Sequence, residues 1–199
     1  MENSQSLPDF SLVLASQSPR RHDLLKLAGI AHTVRPSNVP EIRTPGESAH
    51  DYVARLSKEK AFALPIADSE AILAADTTVV LLNGDLEEIL EKPKDRADAF
   101  RMLTSLSGRT HEVLTGICLR RPGHSWSHVE STQVTFSDLT SSEIESYIDS
   151  GEPFDKAGAY AIQGLASRFI SSIHGCFFNV VGLPIHQVHL LLGKAGQGQ

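Results

Sequence analysis

The chain has 199 residues, 41% of them hydrophobic and 21% charged, which is enough length and apolar content for a buried core and unlike the composition of a disordered chain. Its 18 Lys plus Arg against 24 Asp plus Glu leave a formal net charge of −6, so a general basic surface for long nucleic acid is excluded and a small anion in a local basic pocket is not. The two cysteines, Cys118 and Cys176, sit at no zinc or disulfide spacing, and no apolar run nears the ~20 residues of a membrane span, so the expectation is a cytoplasmic protein with no membrane partner.

Residues 1–9, which carry no basic residue or apolar stretch fit for a secretory leader, and residues 193–199 read as tails around one domain at 10–192. Residues 10–15 form a short apolar strand, and Ser16-Gln17-Ser18-Pro19 opens a helix with Leu24, Leu25, Leu27 and Ala28 facing inward until Gly29 stops it. An extended piece at 32–35 leads into the Pro- and charge-rich segment 36–47, and a helical pattern covers 49–64. Residues 71–75 and 79–82 read as strand interrupted at Asp76, and Asn83-Gly84 suits a two-residue hairpin turn that returns 85–90 antiparallel. An amphipathic helix follows at 95–106, then paired strands at 111–120 and 127–136 around Pro122-Gly123. Thr140 with Glu143 forms a capping box, 168–173 is a further strand, and 183–192 a closing helix. Strands alternating with helices, with hairpins between, predict an α/β fold on a mixed sheet.

No P-loop, dinucleotide-binding or Gly-x-Ser-x-Gly signature occurs. Four polar clusters remain at the ends of apolar elements, where α/β proteins commonly place their sites. In the first, Ser16 and Ser18 flank a helix N-terminus while Arg20 and Arg21 occupy its first turn, an arrangement that attracts phosphate, or else an ordinary cap with surface arginines. In the second, Asp76-Thr77-Thr78 puts a carboxylate inside an apolar stretch, which is unfavourable unless a metal, a cation or donors meet it; a bulge that bonds to its own backbone is the bland alternative. The third is Glu91-Lys92-Pro93-Lys94, where Pro93 restricts Lys92 so that its ammonium can be aimed at a phosphate, with Lys60 as a possible companion or a plain surface lysine.

The fourth cluster is the Gly-rich loop 151–164, in which Lys156 is a further cation, Tyr160 can stack on a base and Gln163 can read a base edge. The segment 179–184, with Asn179 and Gly182, reads as a turn and cap. His111 alternates with Val113 on a strand and reads as structural, and His186 with His189 lacks a third ligand for zinc.

Taken together, Ala15 through Arg21, Ala75-Asp76-Thr77, Lys92-Pro93, the stretch from Gly108 to Gly116, Gly151-Glu152-Pro153 through Gln163-Gly164, and Asn179 through Pro184 resemble the Maf family of nucleoside triphosphate pyrophosphatases over about 12–192. The resemblance implies two lobes around a central nucleotide-binding cleft, related to inosine-triphosphate pyrophosphatases, and commonly a homodimer. It implies attack of water on the α-phosphorus, giving monophosphate and pyrophosphate, with a divalent cation such as Mg or Mn and with Asp76 as general base. Asp76 and Glu41 are the implied metal ligands, and Ser16, Ser18, Arg20, Arg21, Lys60, Thr77, Lys92, Lys156 and Gln163 the implied substrate contacts. Arg20, Thr77 and Gln163 match the branch acting on dTTP and UTP rather than the one acting on 7-methyl-GTP. Glu91 stands where many members have Gly, Pro40 where an acidic residue is common, and Cys176 where Ser or Asp is more usual. The rival implied by the family is a nucleotide-binding regulator of septum formation with little turnover.

Overall fold

The computed structural model describes residues 10–84 and 86–197. Its longest strand, β3 (Glu70–Asn83), lies inside a seven-stranded mixed sheet. One edge pairs antiparallel with β5 (Thr110–Arg121), from Ile72↔Arg120 to Val80↔Glu112. The other edge is shared: β1 (Ser11–Leu14) runs parallel to the first part, and β4 (Leu86–Leu90) returns antiparallel along Val79 to Asn83. Between Leu73 and Val79 that edge has no strand neighbour, and such a gap between diverging strands is where α/β sheets form crevices. Beyond β1 lies β2 (Thr33–Val34); beyond β5 lie β6 (His124–Phe136) and β7 (Ile170–His174).

Because β3 is covered on both faces, its apolar residues run nearly without break and sort by alternation. Ala71, Leu73, Ala75, Val79 and Leu81 join the core formed with α1 (Pro19–Leu27), α3 (Arg96–Leu106), α4 (Ser141–Asp149), α5 (Phe177–Val181) and α6 (Ile185–Gly196). Ile72, Ala74 and Val80 face α2 (Ala49–Phe62), which buries Val53, Leu56, Ser57, Lys60 and Ala61 at helical spacing. Each large apolar side chain so buried contributes about 1.5–3 kcal/mol, and β3 is thereby clamped between two layers. Opposite Asp76 in the ladder is Gly116, where a Cβ would lie 2.2 Å from the Val53 carbonyl oxygen, so the backbone of α2 rests directly on β5.

Several expectations need correction. The strand is not interrupted at Asp76: Asp76↔Gly116 and Thr77↔Thr115 stay in register with β5 and there is no bulge, because the ladder satisfies the backbone while the side chain finds a cation. The pair Asn83↔Leu86 centres the tight turn one residue later than Asn83-Gly84, with Gly84 at φ +64°; Asp85 lies outside the described residues, as do the proposed tail at 1–9 and residues 198 and 199. The closing helix reaches Gly196 rather than 192, since Ala195 is fully buried and its carbonyl accepts from Arg121 Nη1 at 2.8 Å. The capping box at Thr140 and Glu143 forms as expected. The five-residue α5 and the 3₁₀ turns at Glu152–Asp155, Ala157–Ala159 and Leu165–Phe169 were not anticipated, being too short to show a period. Among the described residues no helix is long and apolar enough to cross a membrane.

Candidate active site

Strand alternation sends Asp76 and Thr77 to opposite faces of the gap. Asp76 faces α2, where the buried Lys60 ammonium donates to Asp76 Oδ1 and to Glu41 Oε1, each at 2.6 Å. Lys60 is thus no surface lysine: it sits on the apolar stripe of α2, and its charge is tolerated because two carboxylates meet it. Glu41 enters from the loop before α2, and Lys92 Nζ stands 3.9 Å from its Oε2. Burial pushes the Asp76 carboxyl above its ordinary value, against the opposing pull of Lys60 and Arg21. Burial also works against the charged form of Glu41, but Lys60, Lys92 and Arg21 outweigh it and hold that carboxyl below the usual range.

Thr77 faces the other way, toward Arg21. The Arg21 guanidinium donates to the Gly182 carbonyl from Nε (2.8 Å), to the Ala75 carbonyl and Ser16 Oγ from Nη1 (2.8 and 3.2 Å), and to Thr77 Oγ1 from Nη2 (3.0 Å). Since arginine only donates and a carbonyl only accepts, the chain beyond it has one direction: the Thr77 hydroxyl donates to Thr115 Oγ1 (2.9 Å) and the Thr115 hydroxyl to the Asn179 carbonyl (3.1 Å). The Asn179 amide donates to Val113 O and Thr132 Oγ1. Burial pushes the Arg21 guanidinium below its ordinary value, with Asp76 and Glu41 pulling the other way. Arg21 is therefore anchored by four bonds to protein oxygens, with one Nη2 hydrogen left over on the cavity it lines. It offsets the helix dipole problem expected of a cation at this position by engaging the Ala75 carbonyl within the gap. The bland reading of Ser18 as a side-chain cap also fails: Ser18 makes no such bond, and Ser16 Oγ accepts from the Ser18 N–H instead.

The opposite rim is the Gly-rich loop. Arg20 stands 3.5 Å from Asp155, and Lys156 Nζ donates to the Glu152 carbonyl and to Asp155. Gln163 is exposed. Tyr160 does not offer its ring for stacking on a base in the way expected: it is buried, packs edge-on to Phe136 at 4.9 Å between ring centroids, and its hydroxyl meets His111 Nε2 at 2.8 Å. His111 is structural, as its strand position implied. Glu91 directs a carboxylate oxygen to the Tyr52 hydroxyl, which donates toward it at 3.3 Å.

Asp76, Glu41, Ser16, Ser18, Arg20, Arg21, Lys60, Thr77, Lys92, Lys156 and Gln163 all line one cavity of about 500 Å³ at the β3 gap. Sequence reasoning assigned no role to Thr115, Tyr52 or Glu152, although Glu152 stands in the Gly-rich cluster, and it treated Asn179 as a plain turn residue. The one signal for Thr115 was a hydroxyl beside a glycine within an apolar run. The cavity is cationic on several sides and holds a desolvated carboxylate with a lysine, features that pick it out as the candidate site.

The Maf-like protein family model matches residues 11–195, and the chain belongs to that family. A dTTP/UTP pyrophosphatase of Anaeromyxobacter sp. (strain Fw109-5) is 52% identical over 192 residues, covering 94% of this chain and 90% of that protein. A dTTP/UTP pyrophosphatase of Vibrio cholerae is 46% identical over 184 residues, covering 92% and 97%. Among solved structures, the Ham1 protein of Staphylococcus aureus is a distant likeness, with a TM-score of 0.49 and 14% identity over 95% of this chain and 100% of that one.

Proposed function

We propose that this protein hydrolyses dTTP and UTP to the nucleoside monophosphate and pyrophosphate. The observation that carries the reading is Lys60 held between Asp76 and Glu41 in a cavity that also gathers Arg20, Lys92, Lys156 and Gln163. The relatives that match nearly the whole chain, named for this activity, support it. In the proposed step a water oxygen attacks the α-phosphorus, the bond to the bridging oxygen breaks, and pyrophosphate departs. The water proton passes to Asp76 Oδ2, which has no hydrogen-bond partner among the described residues while Oδ1 is held by Lys60. Arg20, Lys92 and Lys156 hold the charge that accumulates on the leaving group. Gln163, with a donor and an acceptor, complements the adjacent N–H and carbonyl shared by uracil and thymine.

Among the described residues no set of three or more His, Cys, Asp or Glu side chains converges as a metal cage. The donor set nevertheless fits a hard divalent ion, because Mg takes one or two carboxylates and completes its shell with water and substrate phosphates. Asp76 and Glu41 would hold such an ion, Mg or Mn, which supplies neutralisation of phosphate charge. A homodimer and a cytoplasmic location belong to the same proposal.

The test incubates purified protein with dTTP, UTP, CTP, GTP and 7-methyl-GTP, with and without Mg or Mn, and measures monophosphate, pyrophosphate and free phosphate separately. Metal-dependent monophosphate plus pyrophosphate from dTTP and UTP is the expected result. Binding without product defeats the enzyme reading in favour of a nucleotide-binding regulator.

A further inference from the structure

Glu152 lies outside the cavity lining, yet it accepts from Lys156, which lines the cavity, and packs against Gly164, the neighbour of Gln163. Gly151, at φ +76°, turns the chain out of α4 into the 3₁₀ turn Glu152–Asp155. From there the Glu152 carboxylate reaches across the loop: Oε1 accepts from the Tyr147 hydroxyl at 2.8 Å and Oε2 from the Leu165 N–H at 3.0 Å. The Glu152 carbonyl accepts from Lys156 Nζ at 2.7 Å. Tyr147 is fully buried on α4, edge-on to Phe169 with centroids 5.4 Å apart, so the anchor stands on the core rather than on another loop. Burial and the neighbouring carboxylate push the Tyr147 hydroxyl upward, so it stays a donor.

The approach leaves no space. A Cβ on Gly164 would lie 2.3 Å from both carboxylate oxygens of Glu152, although the backbone of Gly164 is one any residue adopts. Glycine is needed there for room, not for a left-handed conformation. Gln163 is held between this contact and the local turn that Gly164 N–H makes with the Ala161 carbonyl at 3.1 Å. No ion pair engages Glu152 among the described residues, and a carboxylate that accepts from two neutral donors gives stronger, more directional bonds than an amide would.

We propose that Glu152 is a positioning residue for nucleobase selection: its carboxylate sets where Gln163 stands and its carbonyl sets where Lys156 stands. This rests on the nucleotide reading above and deepens it, since a loop that wanders by about 1 Å is enough to lose about a hundredfold of orientation-dependent rate. The experiment compares wild type with Glu152→Ala, Glu152→Gln and Tyr147→Phe. It measures kcat/KM for UTP, CTP and GTP, equilibrium binding of non-hydrolysable UTP and CTP analogues, and hydrogen exchange at the Leu165 amide.

Glu152→Ala should lower the preference for UTP over CTP about tenfold, chiefly through KM, and speed exchange at Leu165, while Glu152→Gln retains part of both. If Glu152→Ala does not fold, Tyr147→Phe keeps the buried ring and should shift the same ratio a few fold. An equal loss for every nucleotide, or an unchanged ratio with Leu165 still protected, overturns the inference. A wild type that binds the analogues but turns over no triphosphate defeats the enzyme reading alone, and the binding ratio then decides the positioning role.

Discussion

Along the cavity floor, Arg21 gives its hydrogens to protein oxygens, and the bonds continue through Thr77 and Thr115 to Asn179. On the rim, Arg20 and Lys92 have one carboxylate each, at 3.5 and 3.9 Å, and Gln163 has no hydrogen-bond partner among the described residues. The floor is regular strand closed by long-range bonds, and the rim brings the start of α1 and the loop after β4 to short 3₁₀ turns joined through glycines of positive φ. Groups bonded mostly within the protein hold a site in shape, and groups left more open have more donors to offer a ligand. Two arginines side by side in the sequence therefore have different surroundings.

The floor carries the largest expected effect. Asp76→Asn should lower kcat about 10³-fold, the range of a lost general base, with circular dichroism near wild type and a lowered melting temperature, because buried Lys60 keeps Glu41 but loses one of its two carboxylates; turnover near wild type would remove Asp76 from the chemistry. The contrast between the arginines comes next. Arg21→Ala leaves the Ala75 and Gly182 carbonyls without their donor and should cost about 3–5 kcal/mol in urea unfolding. Arg20→Ala should cost under about 0.5 kcal/mol and instead raise KM about tenfold. A stable Arg21 variant with only a raised KM would return Arg21 to the rim's role.

A pH-dependent effect lies at the joint between the two regions, where His111 of β5 meets Tyr160 of the loop. Burial lowers the His111 pKa from 6.5 to about 4, so between those values the unfolded chain binds the proton and the folded one does not. Stability therefore falls as pH drops from about 6.5 to about 4, by about 3 kcal/mol at the lower end. His111→Gln should flatten that part of the pH–stability curve, measured by urea unfolding; an unchanged slope would assign it to carboxylates instead.

Much of the sheet and most helices were legible because they are long enough to show their period, and Asp76 was legible because a carboxylate among apolar residues needs an explanation. What was hidden had partners distant in sequence. Arg21 finds its oxygens at positions 75, 77 and 182, and nothing local distinguishes a guanidinium that will be filled by the protein from one that will not. Lys60 looked like one of many helical lysines until its carboxylates arrived from other elements. The expected break at Asp76 came from reading a charge as a punctuation mark, whereas a cation across the gap lets the strand run on. Tyr160 was misread because a tyrosine in a Gly-rich loop offers its ring equally to a ligand or to a core.

Gly116 has a consequence for how this site tolerates change. Since α2 rests on the bare backbone at Gly116, the height of that helix above the sheet is set by the absence of a side chain. Lys60 rides on the same helix and meets Asp76, the ladder partner of Gly116. The distance between the ammonium and the carboxylate is thus gauged by a spacer one hydrogen atom thick. A methyl group there would act as a shim, lifting the cation from its anion without altering any residue that bears charge.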